Sequence, residues 1–130
     1  MATGYSVLLR NAQLDAITTF AGAGAKLRIY NGAQPATGGA ATTLLAEFTL
    51  GSPFAPAAAS AAIAPTLPSN TTGLAASTAT WFRIVKADGT THVLDGTAGT
   101  SGTDCILNTA TISAGVAVSL TAFSITRGNP

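Results

Sequence analysis

Charge is the scarcest thing in this chain. Asp, Glu, Lys and Arg make up 8% of its 130 residues, against roughly 25% in an ordinary soluble domain. There are five carboxylates, one histidine and one cysteine. Catalytic and metal sites are built from clusters of such groups, and here they are scattered. Composition therefore speaks against an enzyme and against a bound cofactor or metal. The lone Cys105 excludes an intrachain disulfide. In the run Asp104-Cys105-Ile106-Leu107-Asn108 it reads as a small buried hydrophobe. The alternative is a nucleophile, for which His92 is the one histidine base. No window holds 18 consecutive apolar residues, so no membrane-spanning helix is expected. The stretch FAPAAASAAIAP at 54–65 comes closest, and it is short and broken by proline and serine. The start, MATGYSVLLRNAQ, lacks the basic region and apolar stretch of a secretory signal.

What fills the space is alanine (27 residues), threonine (21) and glycine (14), with a mean hydropathy of +0.41. A chain of 130 residues makes one domain, 1–130, burying roughly two-thirds of its unfolded surface. A charge-poor surface meets other protein without desolvating ions. In a free monomer it also lacks the charges that keep surfaces apart. An oligomer or assembly component is the expectation. The cations Arg10, Lys26, Arg28, Arg83, Lys86 and Arg127 are spread along the chain, with a net charge of +1. Nucleic acid calls for several neighbouring cations against neighbouring phosphates, so it is not an expected partner, and neither is a membrane.

Residues 6–21 carry the helical signal. Ser6 can cap the start. Val7, Asn11, Leu14, Ile17 and Ala21 fall on one stripe with Leu8 beside it, and Gly22 and Gly24 supply a left-handed stop. From Lys26 the period becomes two: Leu27 and Ile29 oppose Lys26 and Arg28, Asn31-Gly32 turns the chain, and 33–42 is a loop. Residues 44–50 make a second half-buried strand. The segment 51–73 holds four of the six prolines among alanines, and proline cannot serve a central strand. It reads as an apolar arm with a short strand near Ser60–Ala64, either lying on a partner or packed on its own sheet. Asp88-Gly89 between 78–87 and 90–95 signals a hairpin. Residues 96–103 read as a loop, 104–108 as a strand and 112–127 as the last strand region. There Val116, Val118 and Leu120 differ in parity from Phe123 and Ile125, so either a bulge near Thr121-Ala122 restores one buried face or the strand is buried on both. Seven or eight strands with frequent turns predict a mainly β fold: an antiparallel β-sandwich, jelly-roll or immunoglobulin-like, over about 26–127 with one N-terminal α-helix.

Tests for chemistry find little. Gly22-Ala23-Gly24 follows a helix and precedes a strand, the wrong order for a dinucleotide loop. Asp88, Asp95 and Asp104 match no calcium-loop spacing, and Asp95-Gly96 reads as turn chemistry. His92 is expected solvated or paired across strands. Trp81 beside Phe82 is a core or interface anchor, or the stacking platform of a glycan-binding module. Tyr5 and Tyr30 form no evident aromatic strip with it.

The segments LLRNAQLDAITTFAGAGAKLRIYNGAQP, AEFTLGSPF, TATWFRIVKADGTTHVLDGTAGTSG and SITRGNP resemble small proteins of tailed-bacteriophage genomes and prophages over nearly the whole chain. The LRIYNG block and the WFRIVKADGT–DGT hairpin carry the resemblance best. These small phage proteins look like virion components, and several capsid decoration or cement proteins of this size are β-sandwiches or jelly rolls. The resemblance implies a virion structural protein, assembled in the bacterial host cytoplasm. The expectation is a decoration or cement protein that stabilises the head through buried contact area. A tail, head-tail connector or fibre-base protein is the alternative. Expected partners are the major capsid protein or other virion proteins, and further copies in a homo-oligomer. No catalytic residue is carried over. The candidate assembly contacts are Val7, Leu14 and Ile17 on the helix, Phe54, Pro56 and Ile63 in the arm, and Trp81.

Overall fold

The computed structural model describes residues 3–128. The helix α1 (Val7–Ala21) begins where Ser6 accepts a hydrogen bond from the backbone N–H of Leu9. It ends at Gly22, whose φ of 72° only glycine adopts without strain. Strands β1 (Lys26–Tyr30) and β2 (Leu44–Thr49) follow. After them come β3 (Ala62–Ile63), β4 (Thr71–Thr72), β5 (Ser77–Thr78), β6 (Trp81–Val85) and β7 (His92–Gly99). The chain continues through β8 (Cys105–Leu107), β9 (Thr111–Ile112), β10 (Ala117–Val118), β11 (Leu120–Phe123) and β12 (Ile125–Thr126). The protein is thus mainly β with one helix.

Six strands form one curled sheet in the order β11-β8-β7-β6-β1-β2, and the short strands pair as β10-β4, β12-β3 and β5-β9. The sheet's two ends are linked rather than left open. The backbone N–H of Leu74, just past β4, bonds to the carbonyl of Leu45 in β2. β4 pairs with β10, which runs through Ser119 into β11 at the other end. Exposed strand edges invite unwanted pairing, and the Leu74 bond occupies part of the β2 edge.

One pair departs from the antiparallel expectation. β7 and β8 run parallel, with Ala98 opposite Cys105 and Gly99 opposite Ile106. Parallel neighbours normally need a crossover of a dozen or more residues; here only 100–104 intervene. Asp104 makes so short a return workable. Its carboxylate accepts from the N–H and hydroxyl of Thr97, and its own N–H donates to the Thr97 hydroxyl. The segment 96–103 is accordingly no loop throughout, since β7 runs on to Gly99. Asp95-Gly96 lies within that strand rather than in a turn.

The turn at Asp88-Gly89 forms, in a longer connection than two residues. Lys86 N–H bonds to the Thr91 carbonyl, Gly89 takes φ 76°, and the Asp88 carboxylate accepts from the N–H groups of Thr90 and Thr91. The last region, read as one strand, is four short ones. The pairing of β11 with β8 shifts register between Leu120 and Ala122, so Thr121 and Ala122 both face out while Leu120 and Phe123 are buried. A bulge restores the buried face, as the parity change at Thr121-Ala122 foreshadows.

The inner sheet face is built in rows. Phe48, Leu27, Ile84 and Leu94 stand side by side across β2, β1, β6 and β7, as do Ala46, Ile29, Phe82 and Gly96. The inner side of α1 joins this core through Leu14 and Ala21, with Ile17 partly buried against it. Val7 does not follow: it is 45% exposed, so the expected apolar stripe docks only from Leu14 onward.

The arm lies on its own domain. Phe54, Ala55, Ala61 and Ile63 are in the core. Two helix side chains hold its backbone, Asp15 accepting from the N–H of Ala58 and Asn11 from that of Ala61. β3 then pairs with the C-terminal β12. Deep burial of Phe54 and Ile63, each worth about 1.5–3 kcal/mol, holds a proline-broken segment that has little ladder of its own.

Candidate functional site

Two parts of the surface are distinctive: the outer sheet face and the outer face of α1. On the outer sheet face, the rows opposite the core carry five of the eleven charged side chains: Lys26, Arg28, Glu47, Arg83 and Asp95. Glu47, Arg28, Arg83 and Asp95 stand in one row across β2, β1, β6 and β7. Charges of opposite sign are neighbours at both ends of that row. Arg28 Nε lies 2.7 Å from Glu47 Oε2, and Arg83 Nε lies 2.7 Å from Asp95 Oδ1. The side chain of Asp95 is 1% exposed. It accepts from Arg83 Nε and Nη2, from His92 Nε2 and from the N–H of Gly38. Burial works to raise its pKa, but these donors prevail and hold it below the usual carboxylate value.

The next row holds Tyr30 opposite Trp81. Their rings stack with centroids 4.4 Å apart, and the Arg83 guanidinium lies 5.2 Å from the Trp81 centroid. The loop 31–43 folds over this pair. Trp81 Nε1–H donates to the Asn31 carbonyl and the Thr42 hydroxyl, and Arg83 Nη2 donates to the Gly39 carbonyl. Trp81 is 0% exposed. It is an anchor, and no face of its ring is presented for stacking a sugar. Tyr30 does form an aromatic pair with Trp81, contrary to the sequence-based expectation. The two are 51 residues apart and become neighbours only through the β1–β6 register.

The other polar candidates go separate ways. Asp88 is spent on its turn, where bonds from the Thr91 hydroxyl and the Thr91 and Thr90 N–H groups lower its pKa to about 2. Asp104 holds the short return to β8. Asp95 and Asp104 line one surface hollow while Asp88 stands apart, and among the described residues no three His, Cys, Asp or Glu side chains gather. Cys105 points into the core, where burial, with the nearby Asp104 charge, pushes its thiol up to about 12. Among the described residues the surface is hollowed in at least two places. One of about 210 Å³ lies beside Phe82, Leu94 and Asp104, and one of about 290 Å³ beside Pro56, Ala59 and Ile63. Both fall below the roughly 300–1,000 Å³ of ordinary ligand pockets.

The candidate contacts divide clearly. Leu14, Phe54, Ile63 and Trp81 are buried in the protein's own interior. Ile17 is half-buried, whereas Val7 and Pro56 are exposed. Sequence periodicity marked the helix stripe that packs inward; the surface left outside is its opposite side. There Leu8 is 81% exposed, Leu9 47% and Phe20 50%, with Ala12, Ala16 and Thr19 also exposed. No ionisable side chain stands among them. No helix among the described residues is long and apolar enough to cross a membrane.

No protein-family model matches the chain, and neither a curated protein nor a solved structure matches it significantly.

Proposed function

We propose that this protein is a virion structural protein of a tailed bacteriophage, a head decoration or cement protein that stabilises the capsid through buried contact area. The curled sheet with its edge-linking ribbon then corresponds to a β-sandwich of jelly-roll type. The observation that carries this proposal is where the charge went. Arg28 with Glu47 and Arg83 with Asp95 spend themselves on each other across the sheet, while α1 turns an uncharged apolar face outward. Such a face is covered by protein at little desolvation cost. Many weak contacts of this kind, made at once around a shell, add up to a firm one. The resemblance to small phage proteins supplies the setting.

Protein content of purified virions tests the proposal. A copy number in the hundreds per particle, scaling with the major capsid protein, is the expected result. A few to tens of copies would instead support the connector or fibre-base alternative. Absence from the particle would refute both.

A further inference from the structure

The hollow of about 210 Å³ beside Phe82 forms around a missing side chain. Gly96 stands next to Phe82 in the inner row. Where its Cβ would lie, the Phe82 ring comes within 2.5 Å and Asp104 Oδ2 within 2.9 Å. Ring edge and carboxylate thus meet over one glycine. Leu94 and Ile125, both half-buried, and Ser124 and Thr126, both exposed, complete the lining with Asp95. The Asp95 carboxylate is spent on Arg83 and His92, so the charge left to this hollow is that of Asp104. Asp104 has one oxygen to spare. Thr97 donates twice to Oδ2, and Oδ1 takes no bond among the described residues. The Ser124 and Thr126 side-chain hydroxyls likewise make no hydrogen bond there. No cation answers this carboxylate either. Glu47 and Asp95 face arginines, whereas Asp104 meets only neutral donors, and its charge reaches Cys105, whose thiol it helps to push up.

We propose that this hollow binds a primary alkylammonium, the chemistry of a lysine side chain, with the ammonium on Asp104 Oδ1 and the alkyl stem along Leu94, Ile125 and the Phe82 ring. Charge selects a cation, because an anion would meet Asp104 uncompensated. Geometry selects ammonium over guanidinium. Arginine's planar fork is matched by both oxygens of a carboxylate at once, and here Thr97 already holds Oδ2. An ammonium is a compact charge with three donors. Oδ1 and the hydroxyls of Ser124 and Thr126 offer it three acceptors. Size agrees with this occupant. The hollow is smaller than the roughly 300–1,000 Å³ that drug-sized ligands need, but it admits one unbranched chain. Stem and head also match the lining, which is apolar on Leu94, Ile125 and Phe82 and polar on the remaining residues. The amine is either a lysine of a partner chain, inserted from outside, or a free small amine. The proposal rests on this hollow alone and not on the virion reading, which particle composition tests separately.

The experiment titrates the isotope-labelled full chain with n-butylammonium chloride at constant ionic strength and follows the amide resonances of Thr97, Asp104, Ser124, Ile125 and Thr126. Saturable shifts at these residues are expected, with a dissociation constant of about 1–10 mM for so small a probe. n-Butanol, which has the same stem and no charge, binds about tenfold more weakly. Asp104→Asn keeps an oxygen for the Thr97 bonds and removes the charge; it weakens butylammonium by about tenfold and leaves butanol unchanged. Asp104 also holds the return to β8, so a second variant guards against misfolding. Thr126→Lys lies at an exposed position outside the Asp104–Thr97 bonds, and its own ammonium competes for Oδ1, again weakening the probe by about tenfold. N-acetyl-lysine N-methylamide separates the two sources: binding at similar strength assigns the hollow to a partner's lysine, whereas binding of butylammonium alone assigns it to a free amine. Three results would overturn the proposal: no saturable shift at these residues up to about 100 mM probe, butanol binding as tightly as butylammonium, or an affinity unchanged in both variants.

Discussion

Gly96 offers the sharpest test of how this core is packed. Its φ lies outside the left-handed region, so alanine is excluded there by space and not by backbone strain. A Cβ at this position would lie 2.5 Å from Phe82 Cε1, 2.7 Å from Cζ and 2.9 Å from Asp104 Oδ2. Phe82 is hemmed in by Ile29 beside it in the same row and by Phe123, which meets its ring edge-on at 5.1 Å, so any retreat must be toward the hollow it lines with Leu94 and Asp104. The Asp104 carboxylate is tied to Thr97. Overpacking of this kind costs about 1–3 kcal/mol. Replacing glycine by alanine also restricts the unfolded chain and returns about 0.4–1 kcal/mol. The net expectation for Gly96→Ala is a loss of about 1–2 kcal/mol, or roughly 3–10 °C in Tm for a domain of this size. Urea unfolding followed by Trp81 fluorescence measures it. The clash belongs to one ring, so Phe82→Leu should absorb it. In that background Gly96→Ala should cost markedly less, a coupling of about 1 kcal/mol in a double-mutant cycle. A Gly96→Ala protein as stable as the wild type, or a penalty unchanged by Phe82→Leu, would refute the reasoning.

Other outcomes follow from the same packing. Asp95→Ala should cost about 3–5 kcal/mol, because it strands the Arg83 guanidinium beneath the 31–43 loop, and chemical denaturation would show it; a change under 1 kcal/mol would mean the pair is idle. Phe54→Ala should destabilise by about 3–5 kcal/mol, whereas an arm lying free for a partner would tolerate it; thermal unfolding distinguishes the two. Asp95 is held below, and Asp88 down at about 2, the usual carboxylate value near ~3.9. Their stabilisation is therefore complete above about pH 4 and is lost as pH falls through the folded values; stability flat from pH 5 to 2 would contradict it. Cys105, with its thiol up at about 12, should resist thiol reagents at pH 8 until the chain unfolds, and rapid labelling of the native protein would show the site to be open.

Local chemistry settled the elements that depend on a few neighbouring residues. Ser6 and Gly22 bounded the helix, alternation from Lys26 marked β1 and β2, Asp88-Gly89 placed a turn, and the parity break in 116–125 left a bulge at Thr121-Ala122 as one of two readings, which the register shift decides. The scarcity of charge was legible in composition, and on the outer face of α1 it left exposed apolar side chains such as Leu8 and Phe20. Tertiary structure decided what depends on register and on which face wins. The sequence could not show that Tyr30 lies against Trp81, that Asp95 sits inside a strand between Arg83 and His92, or that β8 runs parallel to β7 after a connection of only 100–104. Those neighbours are set by pairings between distant residues, and the hydrogen-bond ladder is indifferent to side-chain identity. Dipeptides such as Asp95-Gly96 have a turn preference worth about 1 kcal/mol, and the Phe82 ring that needs a missing Cβ overrides it. The arm shows the same rule. Its prolines kept it out of the sheet, as composition foretold, but burial of Phe54 and Ile63 drew it onto its own core. The outward side of α1 was left as the uncovered face because the helix has only one apolar stripe deep enough to bury, and the fold spent it.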